Sequence, residues 1–125
     1  MANDQLSRPA PDPSAISDLL ATAILVVDAR SEIAWLNQSA AALLATSQAA
    51  ARGRRLATLL VDAAAIDALL ARSRESHEPL ALRGIPLVPA ARADMRYQAD
   101  VTLTPLAAAM PGGVLVEIAD TTQPS

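Results

Sequence analysis

The sequence predicts an α+β domain: a five-stranded antiparallel sheet with short helices gathered on one face and an amphipathic helix at the N-terminus. Three observations predict it. Short β-branched or alternating segments stand at both ends of the chain, helical periods cluster between them, and Asp, Gly and Pro punctuate the boundaries. The chain has 125 residues, room for one domain that buries roughly two-thirds of the surface its unfolded form exposes.

Residues 1–11 read as a disordered arm, because a polar, proline-rich stretch has nothing to bury. The domain is expected over residues 12–122. Asp12 can cap a helix whose first residue is Pro13, where the missing N–H costs nothing. Ile16, Leu19, Leu20 and Ala23 then recur at helical spacing, which predicts a helix over 13–23. Strands at about 24–28 and 32–36 form a hairpin around the turn residues Asp28, Ala29, Arg30 and Ser31. Asn37 can cap the next helix, about 38–45, by accepting from N–H groups that lack helical partners.

Gly53 breaks the chain before a short helix at about 56–60. Asp62 then caps a longer one at about 63–75, with Ile66, Leu69 and Leu70 on its apolar face and Arg72 and Arg74 near its C-terminal end, where positive charge is favoured. A strand at about 80–88 is interrupted by Gly84 and Pro86, as at a bulge or a sheet edge. At about 95–105 the pattern alternates, so that Tyr97, Ala99, Val101 and Leu103 share one side and Gln98, Asp100, Thr102 and Thr104 the other. Pro111, Gly112 and Gly113 turn the chain into a last strand at about 113–119, and residues 123–125 form a short tail.

Hydrophobic residues make up 52% of the chain, yet Phe is absent and Trp and Tyr occur once each, so Leu, Val and Ile must build the core. A formal net charge of −3 argues against a nucleic-acid surface, which needs clustered Lys and Arg. Arg52, Arg54 and Arg55 form one small basic cluster, read as a solvated loop. With no Cys there is no disulfide, zinc-finger site or thiol nucleophile. No secretory signal or membrane-length apolar run is apparent, so no membrane partner is expected.

Chemistry is sparse. His77, the only histidine, follows a helix in a polar stretch, and no activating base is recognisable beside a nucleophile. Asp12, Asp18, Asp28, Asp62 and Asp67 are spread over caps, turns and helix surfaces rather than converging on a metal. Val26, Leu44, Leu56, Leu70, Val101, Leu103 and Val116 are expected to meet between helices and sheet, either as plain core or as the lining of a small apolar ligand pocket.

The order of elements, headed by "ILVVDARSEIAWLNQSAAALL", resembles a PAS domain over Ile16 to Thr122, and implies the PAS fold. "VLVEIADTT" looks like the last PAS strand and its Asp-x-Thr exit motif, here Asp120 and Thr122, which in the family passes signals to a downstream helix. Within the family, "LLATAILVVD", "VTLTPL" and "MPGGVLVEIAD" are similar to the N-terminal sensory domain of nitrogen-regulation histidine kinases of the NtrB type. That resemblance implies a bacterial, cytoplasmic, dimeric parent that phosphorylates an NtrC-type response regulator and answers to a PII-type protein. Its transmitter and kinase domain would follow the tail. "HEPL" at His77 departs from the phosphoacceptor box of such kinases, because Pro79 arrives too early.

PAS domains often carry haem or flavin. A flavin–thiol photocycle needs Cys, haem needs an axial ligand that His77 is poorly placed to supply, and no residue points to flavin, so no cofactor is expected. Ile16, Leu19, Leu20 and Ala23 could cover the domain's own sheet or pair with a second copy across a two-fold axis, and the resemblance favours the homodimer. The leading expectation is a non-catalytic regulatory and dimerisation module. The alternatives are a small-molecule sensor domain of another signalling protein, and a small α+β enzyme.

Overall fold

The computed structural model describes residues 22–122. The arm expected over 1–11, most of the helix expected over 13–23, with Ile16, Leu19 and Leu20, and the tail at 123–125 lie outside the described residues.

Five strands, β1 (Ala23–Val27), β2 (Ile33–Leu36), β3 (Leu80–Leu87), β4 (Tyr97–Pro105) and β5 (Val114–Asp120), form one antiparallel sheet in the order β2-β1-β5-β4-β3. The first and last strands therefore pair at its centre, with Ala23 opposite Ile118 and Val27 opposite Val114. Helices α1 (Gln38–Leu43), α2 (Gln48–Ala51) and α3 (Ala63–Ser76), with 3-10 turns at Leu56–Leu59 and Ala90–Arg92, occupy the connections.

Alternation along the strands decides which face the helices cover. Ala99, Val101 and Leu103 of β4 are buried, as are Val114, Val116 and Ile118 of β5, and they pack against Leu70 of α3 and Leu44, Leu56 and Leu60 from the intervening segments. Burial of this aliphatic layer is the main stabilising term, at about 25 cal/mol for each Å² of apolar surface removed from water.

Each connection has a local cause. The β1–β2 turn is closed by Asp28, whose Oδ1 accepts the backbone N–H groups of Arg30 (2.9 Å) and Glu32 (3.0 Å) while Ser31 takes a positive φ of 63°. Such side-chain acceptance is what favours Asp at turns. Ser47 caps α2 through Ala50 N, and Asp62 reaches Ala65 N at the start of α3. Helix α3 stops at His77, which adopts the left-handed conformation of a C-terminal cap at φ 57°.

Both sheet edges are blunted. At the β3 edge the register shifts between Leu82 and Ile85, Gly84 has φ 62°, its N–H donates to Asp100 Oδ1 at 2.9 Å, and Pro86 offers no N–H at all. At the β2 edge Ile33 donates to Arg54 O (2.8 Å) and Gly53 to Ile33 O (2.9 Å), while the Gln48 amide donates to Leu36 O at 2.7 Å.

Two expected positions are corrected. Ala23, expected in the last turn of a helix, is the first residue of β1 and is 1% exposed on the core face. It cannot share a helical interface with Ile16, Leu19 and Leu20, because the strand turns it towards α1 and the core. Val26, expected among the converging core residues, is half-buried on the opposite face; Leu25 and Val27 hold the interior places. A strand's period of two allows no other outcome once Leu25 points inward.

Candidate functional site

Three regions of the fold can bear function: the interior, the junction where the chain enters and leaves the sheet, and the outer sheet face. The interior contains a cavity of about 20 Å³, lined only by Leu, Ile and Val. Leu56, Leu70, Val101, Leu103 and Val116 line it, Leu44 is buried elsewhere in the same core, and Val26 is absent from it. A cavity of this volume has space for about one water molecule and no polar partner to hold one. With no ionisable side chain in its wall, the cavity offers neither acid nor base. A surface groove of about 170 Å³ between α3 and β3 shares Leu60, Ile66, Leu69, Ile85 and Leu87 with it.

The junction is held by Asn37. Its backbone N–H donates to Ile24 O (3.0 Å), its Oδ1 accepts from Ile24 N (3.1 Å) and Ala40 N (2.9 Å), and its Nδ2 donates to Thr22 O (2.9 Å). One amide side chain thus starts α1 and secures the entry to β1. The cap is visible in sequence; the bonds to Thr22 and Ile24 are not, since they span 15 and 13 residues.

The exit lies beside this entry. Ala23 pairs with Ile118, two residues before Asp120. Asp120 Oδ1 accepts from Thr122 N at 2.9 Å, Thr122 Oγ1 accepts from Gln98 N at 2.9 Å, and Thr121 N donates to Gln98 O at 2.8 Å. The chain beyond β5 is thereby fastened to β4, and the side chains of Asp120 and Thr122 set its direction.

On the outer face Ile24 stands opposite Glu117, and Val26 opposite both Leu115 and Trp35. Trp35 is 44% exposed. Sequence reasoning missed Ile24 and Trp35 because β1 reads "AILVV" and β2 "IAWL", with no polar residue to mark which side is wet. Leu115 was also missed, although Glu117 on the same side of β5 marks that side as outward.

Charge is scattered over the surface. Arg55 pairs with Asp67 at 3.0 Å, and Arg52 and Arg54 are exposed. A hydrogen bond from Arg92 holds the exposed Asp94 carboxyl below the usual aspartate range. Among the described residues no group of three or more metal-ligating side chains converges, and no helix is long and apolar enough to cross a membrane.

A family model described as the PAS fold matches residues 17–125. The chain belongs to the PAS family. This PAS domain is similar in structure to the PAS domain of nitrogen regulation protein NR(II) from Vibrio parahaemolyticus, with TM-score 0.65 and 24% identity over 89% of this chain and 99% of that one. It is similar also to the PAS domain, in complex with ethanol, of a LuxR-family transcriptional regulator from Burkholderia thailandensis, with TM-score 0.66 and 16% identity over 90% and 100% of the two chains. A third likeness is to a blue-light activated histidine kinase from Erythrobacter litoralis, with TM-score 0.65 and 16% identity, where 90% of this chain covers 37% of the other. At these identities the likeness is one of fold. No curated protein matches the chain.

Proposed function

We propose that this PAS domain is the sensory and dimerisation module of a histidine kinase of the nitrogen-regulation type, without catalysis of its own. The observation that carries the reading is the adjacency of entry and exit: Ala23 and Ile118 are paired neighbours in the sheet, so the segment before β1 and the segment after Asp120 leave from one end of it. The helix expected over 13–23, which would have to end before Thr22, would join two copies there through Ile16, Leu19 and Leu20. Ile24, Val26, Trp35 and Leu115 supply an apolar sheet face beside it. A change in how the two copies pack then acts on the Asp120–Thr122 exit without crossing the core. The likeness to the NR(II) domain supports the nitrogen-regulation assignment, and through it a cytoplasmic parent kinase acting on an NtrC-type regulator and answering to a PII-type protein.

Sedimentation equilibrium tests the dimer. The full chain is expected to dimerise, and Leu19→Asp with Leu20→Asp to be monomeric with an unchanged circular dichroism spectrum; a dimer that survives both substitutions removes the helix from the mechanism. For the kinase assignment, the coding sequence that follows Ser125 is decisive, since phosphoacceptor and ATP-binding motifs are required there.

One observation favours a second reading, a small-molecule sensor. The groove between α3 and β3 shares five residues with the interior cavity, so an outward shift of α3 would join them into one apolar site. At about 20 Å³ the cavity as it stands holds no larger ligand. Native mass spectrometry of the purified domain distinguishes the two, because a sensor retains a ligand mass and an empty module does not.

A further inference from the structure

Arg74, near the end of α3, is half-buried and carries a charge that no carboxylate among the described residues meets. Its Nε–H donates to Gly112 O at 2.8 Å, and Nη2 donates to Asp28 O and Ser31 Oγ, both at 2.9 Å. These acceptors are two carbonyls and a hydroxyl. Asp28 gives Arg74 only its backbone oxygen and uses its Oδ1 for the N–H groups of Arg30 and Glu32. A guanidinium has five N–H donors, so the two on Nη1 have no protein acceptor among the described residues.

Arg74 also lines a surface cleft of about 280 Å³, whose other walls include His77, Pro105, Ala107, Pro111 and Gly113. None of the lining residues is acidic. His77 is exposed at the cap of α3, where its ring supplies a second donor. A half-buried cation without a counter-charge is costly, and an arginine with two open N–H groups in a non-acidic cleft suits a carboxylate. The volume suits a molecule of a few carbon atoms, below the usual range of drug-sized sites.

We propose that this cleft binds a small carboxylate, held by the Nη1 N–H groups of Arg74 with the His77 imidazole as second donor. The site is separate from the interior cavity and lies at the start of β5, the opposite end of that strand from the exit. Arg74 already joins the β1–β2 turn to the turn before β5, so a bound carboxylate would stiffen the start of the strand that ends at Asp120.

His77 is the only histidine, so its imidazole protons give one set of NMR signals to follow in the full chain. We expect them to shift saturably on titration with sodium succinate at fixed pH and ionic strength, with no shift when sodium chloride replaces succinate. Arg74→Lys keeps the charge but loses the fork, and should weaken the response by roughly tenfold. Should that variant unfold, Ala107→Glu serves instead: it places a carboxylate on the cleft wall at an exposed position, leaves the Arg74 bonds intact and should abolish the response. The proposal is overturned by an equal response to chloride, by no saturation, or by an Ala107→Glu protein that responds like the parent. A response to inorganic phosphate but not to succinate would reassign the cleft and overturn the carboxylate.

Discussion

Asn37 and Ile24 hold each other twice: the Asn37 N–H donates to Ile24 O, and the Ile24 N–H donates to the Asn37 side-chain oxygen. The same oxygen caps α1 at Ala40, and the amide nitrogen takes Thr22 O. Asn37→Ala removes the cap and strands part-buried groups of the β1 entry, at a cost of about 2 kcal/mol or more. Asn37→Asp keeps the acceptor but loses the donor to Thr22 and should fall between the two. Urea denaturation measures both; an alanine variant as stable as the parent would refute the clamp.

The assignment of faces in β1 predicts unequal neighbours. Leu25→Ala empties a fully buried site and should cost about 2–5 kcal/mol, whereas Val26→Ala, half-buried on the outer face, should cost about 1 kcal/mol or less in a monomer. Paired thermal melts at a concentration below dimer formation compare them. Equal losses would mean that the strand's facing is misassigned.

Ser73 is fully buried in α3 and its hydroxyl has no hydrogen-bond partner. Ser73→Ala therefore removes a desolvated polar atom and improves helix propensity, and should stabilise the domain by about 1 kcal/mol. Chemical denaturation reads the midpoint. A destabilised variant would show that the hydroxyl is satisfied in solution.

At the exit, Thr122 Oγ1 is the acceptor for Gln98 N. Thr122→Val keeps the shape and deletes the acceptor, so the Gln98 amide should exchange with solvent faster by roughly fivefold to tenfold, as expected for loss of about 1 kcal/mol of hydrogen bonding. Amide exchange followed by NMR reports this at a single residue, with the amides of Val101 and Leu103 as internal controls. No change at Gln98 would detach Thr122 from the exit.

How much of this was legible depended on whether the relevant contrast lay within a few residues. In β4 the alternation of Ala99, Val101 and Leu103 with Asp100, Thr102 and Thr104 marks one side as wet, and those three apolar residues are indeed buried. The bulge at Gly84 and the turn at Asp28 were equally local. In β1 all five residues are apolar, so the pattern could not tell Leu25 from Val26, nor show that Ala23 had left the helical period for the strand. Trp35 was missed for the same reason, since β2 is apolar throughout, whereas Leu115 shares its side of β5 with Glu117, a local mark that was overlooked.

By itself the sequence determined the class of the domain, the number of its strands, the turn at Asp28, the caps at Asn37 and Asp62, and an aliphatic interior, because propensity, period and capping act over one or two turns of chain; the Ser47 cap and its short helix α2 were not read from it. Tertiary structure alone decided that the first and last strands lie side by side, that Asn37 binds across 15 residues and Arg74 across 46, and which faces of β1 meet the core. Those relations arise when distant segments are brought to bonding distance by burial of the whole aliphatic layer, and no local pattern encodes that closure.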